Sequence, residues 1–154
     1  MSRPTRTQLV VWRSFLEGAY ALIDILDTEM QTECDLSLRW YDVLLHLEEA
    51  DGLPMNDLAE RILFSKSGLT RVIDRMEAEG LVRRERPPGD RRVIQVYLTP
   101  GGIDVLARAR QVHHRGLEMH FVRHLDGPDF AAMSTALSKL SEHLRALRPG
   151  RIAA

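Results

Sequence analysis

A single cysteine, Cys34, stands in the whole sequence, so an internal disulfide framework is excluded and a reducing, cytoplasmic setting is expected. No run of about 18 apolar residues occurs, so a membrane-spanning helix is not expected either. The opening segment Met1-Ser2-Arg3-Pro4-Thr5-Arg6 is basic, but Arg13 and Glu17 interrupt the apolar residues behind it, which is unlike a signal peptide. There is no phosphate-binding glycine loop, no nucleophile elbow and no metal-protease motif. The Ser, His and Asp residues are scattered over predicted helices without an evident meeting point. Neither catalysis nor a cofactor nor a bound metal is expected. Lysine is scarce, 2 residues against 19 arginines, which coding bias explains as readily as function. What is present suffices for a core: 44% of the 154 residues are hydrophobic, enough for one domain or a small domain with long helical extensions.

A net charge of −1 hides an uneven distribution. Between Arg61 and Arg92 stand nine basic residues and five acidic ones, a local +4 that leaves −5 for the rest. Such asymmetry is the electrostatic footprint of one module that touches phosphates while its neighbours do not.

Hydrophobic spacing predicts the elements. Residues 8 to 30 read as a long helix, with Phe15, Ala19, Leu22, Ile23, Leu26 and Met30 on one stripe and Trp12 near its start. Asp35 or Ser37 would cap a second helix carrying Trp40, Val43, Leu44 and Leu47, which Asp51-Gly52 ends. Leu53-Pro54-Met55 reads as an extended link, and Asn56 as the cap of a short helix from Asp57 to Ile62. The next helix is expected from Lys66 to Glu79, capped by Ser65 and closed by a left-handed Gly80. Leu69, Val72, Ile73 and Met76 form its apolar face, and Arg71 and Arg75 lie one turn apart on the exposed side. Gly68, a poor helix former in the first turn, would let the backbone approach a ligand closely. Leu81 to Arg86 and Val93 to Leu98 read as a hairpin broken by Pro87-Pro88-Gly89, with a tip that carries Asp90-Arg91-Arg92. A long helix from Pro100 to about Leu125 and a last one from Asp129 to about Leu147 follow.

A core-facing stripe backed by hydroxyls and guanidinium groups suits a helix lying in the major groove of DNA. Followed by a basic hairpin, it describes a winged helix-turn-helix. The fold class is therefore expected to be mainly α, a winged helix-turn-helix with a two-stranded wing and N- and C-terminal dimerisation helices. The last helix supports the dimer: Phe130, Met133, Leu137, Leu140, Leu144 and Leu147 have the 3,4 spacing of a packed seam. A face buried within the same subunit would show the same spacing. A small module leaves such helices little to pack on, so a partner subunit is favoured, and a two-fold dimer would suit a pseudo-palindromic site. Residues 36–99 would read DNA, and residues 1–35 with 100–154 would hold the dimer.

These residues resemble the MarR family of bacterial transcription regulators. The likeness is carried by Leu58-Ala59-Glu60-Arg61, by Ser67 through Arg84, and by Asp90-Arg91-Arg92 followed by Tyr97-Leu98-Thr99-Pro100-Gly101-Gly102. The family's Asp-x-Arg wing motif falls on Asp90 and Arg92. The resemblance implies an intertwined homodimer that places a recognition helix in the major groove and a wing in the minor groove. It also implies a regulator, usually a repressor, that releases DNA when a small ligand or an oxidant alters the dimer. Arg71 and Arg75 are the expected base or phosphate contacts, with pairing to Asp74 or Glu79 as the alternative use of these arginines. Ser67 and Thr70 are expected to bond phosphates or bases, Ser65 to do so or merely cap the helix, and Lys66 to contact phosphate. Arg92 would enter the minor groove, Arg91 would share that role or touch backbone, and Asp90 would orient an arginine. A family pocket between the DNA module and the dimer helices points to Trp12, Phe15, Trp40 and His46 for a small aromatic or phenolic effector. Arg39 would pair with the effector's negative charge or serve simply as a surface residue.

Other uses of these residues stay open. His113, His120 and His124 lie on one helical face, and with Cys34 and His46 they would suit a zinc-responsive regulator of the same fold. Cys34 as an oxidant sensor is disfavoured by its neighbours Glu33 and Asp35. A winged helix used for protein–protein contact is the remaining alternative, against which the basic wing argues.

Overall fold

The structure, a computed structural model, describes residues 3–62, 68–86 and 93–147. Helix α1 (Arg6–Cys34) starts earlier than its apolar stripe, because Thr5 and Gln8 form a capping box. The Thr5 hydroxyl accepts from the Gln8 amide at 3.3 Å, and the Gln8 side chain accepts from the Thr5 amide at 2.8 Å. Asp35 ends α1 in the left-handed conformation, with φ 51°, so it does not start the next helix. That task falls to Ser37, whose hydroxyl accepts from Trp40 N at 3.2 Å and caps α2 (Leu38–Ala50). Asp51 closes α2, and Gly52 follows at φ 98° beneath the Tyr97 ring, where a Cβ would come within 2.3 Å of a ring carbon.

The expected link at Leu53-Pro54 is a strand. β1 (Leu53–Pro54) pairs antiparallel with β3 (Gln95–Leu98), which pairs antiparallel with β2 (Val82–Glu85), so the sheet has three strands in the order β1-β3-β2. The wing itself keeps two strands, with Val82 opposite Leu98 and Glu85 opposite Gln95. Pro54 is tolerated because it lies on an edge strand. Helix α3 (Met55–Arg61) begins before Asn56, contrary to the expected cap: Pro54 occupies the cap position, and the Met55 amide donates to Ile94 O at 3.1 Å.

Helix α4 (Leu69–Ala78) carries the predicted apolar face, with Leu69, Ile73 and Met76 buried. Gly68 precedes it at φ 81° instead of lying inside its first turn. The proposed start at Ser65 and Lys66 lies outside the described residues. At the other end the Gly80 amide bonds Glu77 O at 3.0 Å and the Leu81 amide bonds Met76 O at 2.9 Å, a Schellman ending that needs the left-handed Gly80.

Helix α5 (Pro100–His120) is capped by Thr99, whose hydroxyl accepts from Gly102 N at 3.0 Å. It is shorter than expected, because Val122–His124 turn as a 3-10 helix. Helix α6 (Gly127–Leu147) begins before Asp129; the Asp126 carboxylate accepts from the Asp129 amide at 2.9 Å. Leu26 and Met30 of α1, most of α2, Leu58, α4, Val82, Val96 and Leu106 of α5 make one core. The first half of α1 stands outside it, and no described residue of α6 is buried, so the α6 seam is not covered within its own subunit. Among the described residues no helix is long and apolar enough to cross a membrane.

The junction of α5 with the sheet is tight. A Cβ on Gly102 would lie 2.1 Å from the Leu81 carbonyl oxygen, which accepts from Thr99 N at 3.1 Å. Gly102→Ala must push helix from sheet, and urea denaturation should show a loss of about 1–3 kcal/mol; unchanged stability would contradict this packing.

Candidate nucleic-acid interface

At about 100° per residue, α4 divides into three sectors. Leu69, Ile73 and Met76 face the core. Thr70, Asp74 and Glu77 occupy a second strip, and Arg71 and Arg75 a third. All five of these polar residues are exposed.

The second strip is occupied by Arg84 of β2. Its Nη2 donates to Asp74 Oδ1 at 2.6 Å and to the Thr70 carbonyl at 3.3 Å, and its Nη1 donates to Glu77 Oε2 at 2.6 Å. Its backbone amide donates to Glu77 Oε1 at 2.9 Å. Asp74 is thereby committed to Arg84, and the side chains of Arg71 and Arg75 form no hydrogen bond or ion pair among the described residues. Their guanidinium groups face solvent from adjacent turns of one helix, able to meet a carboxylate-free anionic surface such as a DNA groove. Arg83 is used differently: it stacks over Tyr97, 4.7 Å from the ring centroid, and pairs with Glu85. Arg84 was missed as a distinct residue from sequence and merely counted with the basic cluster. The available signal was carboxylates at i and i+3 on α4, followed by arginine on the strand that packs beside it.

Thr70, Arg71 and Arg75 thus share α4, whereas Ser65, Lys66, Ser67, Asp90, Arg91 and Arg92 lie outside the described residues. The five effector candidates are not gathered into one cavity. Arg39 lines a concavity of about 410 Å³ together with Tyr20, Ile23, Asp24, Asp27, Ser37 and Leu38, between α1 and the start of α2. Trp12 and Phe15 stand exposed on α1 with ring centroids 6.3 Å apart. Trp40 packs against the core, and His46 sits between Asp42 at 3.6 Å and Glu49 at 3.5 Å.

The histidines of α5 and the turn after it have other partners. His113 lies on the Tyr41 ring with centroids 4.7 Å apart, and its burial pushes the imidazole below its ordinary value. His120 Nε2 is 2.7 Å from Glu29 Oε1, and His124 Nε2 is 3.1 Å from Met119 O. Among the described residues no three His, Cys, Asp or Glu side chains are grouped to hold a metal ion.

The family model described as MarR matches residues 35–93. The crystal structure of AbsC, a MarR family transcriptional regulator from Streptomyces coelicolor, superposes with a TM-score of 0.85 at 33% identity, covering 95% of this chain and 99% of AbsC. This chain belongs to the MarR family. A second MarR regulator of that organism, Sco3205, solved in complex with DNA, matches with a TM-score of 0.84 at 29% identity over 92% of this chain and 94% of its own. The curated regulator TtmR of Methylorubrum extorquens is 37% identical over 44% of this chain. That match spans only 35% of TtmR. The fold is the MarR winged helix-turn-helix, with α4 and the β2-β3 hairpin as its second helix and wing.

Cys34 is poorly suited to sensing. Burial pushes its thiol above the ordinary value, Glu33 adds to that rise, and the Sγ donates to Met30 O at 3.0 Å. At neutral pH iodoacetamide should label Cys34 more slowly than free cysteine. Labelling at or above the free-thiol rate would show an activated thiolate instead.

Proposed function

We propose that this MarR-family regulator is a homodimeric repressor that binds a pseudo-palindromic operator and releases it when a small aromatic or phenolic effector binds. The observation that carries the DNA reading is the pair Arg71 and Arg75, exposed on successive turns of α4 with no ion pair among the described residues to neutralise them. Two such helices, related by a two-fold axis, would meet half-sites about one helical turn apart. Thr70 and Ser67 would add bonds to bases or phosphates, Ser65 and Lys66 would hold the backbone, and Arg91 and Arg92 would enter or flank the minor groove with Asp90 orienting them.

The dimer reading rests on apolar surface that one subunit leaves in water. Leu137, Leu140, Leu144 and Leu147 of α6 are 36–64% exposed, and Leu9, Val10, Val11, Trp12 and Phe15 of α1 are 43–63% exposed. Contiguous apolar faces of this kind mark an interface. Residues 1–35 and 100–154 would then hold the dimer and residues 36–99 would read DNA. The groove lined by Arg39 lies where those two regions meet, and Tyr20, Ile23 and Leu38 give it apolar wall for an aromatic ring.

Two measurements test this. In fluorescence anisotropy on the DNA upstream of the chain's own gene, Arg75→Ala should weaken specific binding by about tenfold or more while changing non-specific binding less. Lys66→Ala should weaken both similarly and reduce the salt slope by about 1. Unchanged binding in both variants would remove α4 as the reading helix. Separately, Leu140→Glu with Leu144→Glu should shift the sedimentation coefficient from dimer to monomer, and an unshifted dimer would place the interface elsewhere.

A further inference from the structure

We infer that Arg84 is a positioning residue for DNA reading: it locks the recognition helix to the wing at one angle, so that the α4 arginines and the wing reach their grooves together. The inference rests on the DNA reading proposed above, and it concerns a residue that would touch no DNA.

The geometry distinguishes Arg84 from the other basic residues of its cluster. Its side chain is only 20% exposed. It engages positions 70, 74 and 77 of α4, which lie one above the next on a single strip, so one guanidinium spans the helix from its first turn nearly to its end. Charge-assisted bonds in two directions fix both the rotation of α4 about its axis and its distance from β2. The backbone amide of Arg84 adds a bond to the other Glu77 oxygen, which ties the strand as well as the side chain to the helix. Opposite Arg84 in the ladder is Val96, fully buried, so the strand cannot slide without disturbing the core.

The consequence for function follows from how α4 is divided. Its core sector fixes the depth of the helix but allows it to roll, because apolar contacts are non-directional. The Arg84 strip, about 100° round the helix from the core sector, removes that freedom. It also occupies Asp74, a carboxylate that would otherwise compete for Arg71 one turn away. Base-edge recognition needs such angular accuracy, since a bidentate arginine contact depends on orientation. Attraction to phosphates does not, because it acts through charge over a distance.

The test uses duplexes selected from a randomised library by the full-length wild-type protein, with a scrambled duplex of the same composition as the non-specific probe. Arg84→Met keeps the length of the side chain and removes its charge. At a temperature where circular dichroism shows the variant fully folded, its affinity for the selected duplex should fall by about tenfold or more while the scrambled duplex changes little. The slope of log affinity against log salt should stay at the wild-type value; a drop of about 1 would mean that Arg84 touches a phosphate, and would overturn the assignment. Asp74→Asn and Glu77→Gln give an independent reading with an opposite electrostatic expectation. Removing a carboxylate beside a DNA-facing surface tightens binding to every duplex if charge alone matters. Positioning requires the selected duplex to bind more weakly in both variants, and these two decide the matter if Arg84→Met does not fold. Wild-type specificity in Arg84→Met, or uniform tightening in the carboxylate variants, would overturn the inference while leaving the DNA reading intact. If the wild-type protein enriches no duplex at all, the DNA reading and this inference fall together.

Discussion

The clamp on helix α4 is the constraint on which the rest of the molecule turns. Ile73 and Met76 are fully buried beneath the helix, and the Arg84 guanidinium grips its side through Thr70, Asp74 and Glu77. Two of three helical sectors are thereby committed, one to apolar packing and one to charge-assisted bonds. The third sector carries Arg71 and Arg75, the pair available for a partner. The exposed cationic surface is what remains once the other faces of the helix are used.

The same economy governs the elements around α4. Its left-handed ending at Gly80 turns the chain directly into β2, which delivers Arg84 to the helix four residues later. Thr99 then ties β3 to this corner, bonding the Leu81 carbonyl through its amide and the Gly80 carbonyl through its hydroxyl. Gly102 allows α5 to start against that backbone without a Cβ in the way. Helix α5 therefore leaves the sheet from this corner, and the wing, α4 and α5 share one local frame. Ion pairs from α5 to the preceding helices, Arg110 with Glu48 and Arg115 with Glu33, extend that frame toward the termini.

Much of this was legible in the residues. Apolar spacing located α1, α2, α4 and α6, since a 3.6-residue period is a local property; cap and proline signals located α3 and α5, and the alternation of Ile94, Val96 and Leu98 located the wing. Boundaries moved where a polar partner outside the apolar stripe set them: the Thr5–Gln8 capping box lengthened α1, and Asp126 started α6 early. Leu53-Pro54 could not be read as a strand, because two residues acquire that identity only from the register of β3. The effector candidates on α1 and α2 rest on predicted positions beside a family pocket, and one subunit disperses them: Trp40 packs against the core, His46 lies between two carboxylates, and Arg39 lines the groove.

The local signals in the chain were sufficient for the order of helices and the two exposed arginines of α4, because periodicity, capping residues and turn glycines act over a few neighbouring positions; the family was legible through its motif residues in α4 and the wing. They were silent on which arginines are free. Arg71, Arg75, Arg83 and Arg84 are equivalent in a charge count, yet Arg84 is spent on Asp74 and Glu77, and Arg83 on Tyr97 and Glu85. That distinction arises when a strand ten residues beyond Asp74 folds back against the helix, and long-range pairing of this kind leaves no mark on sequence spacing.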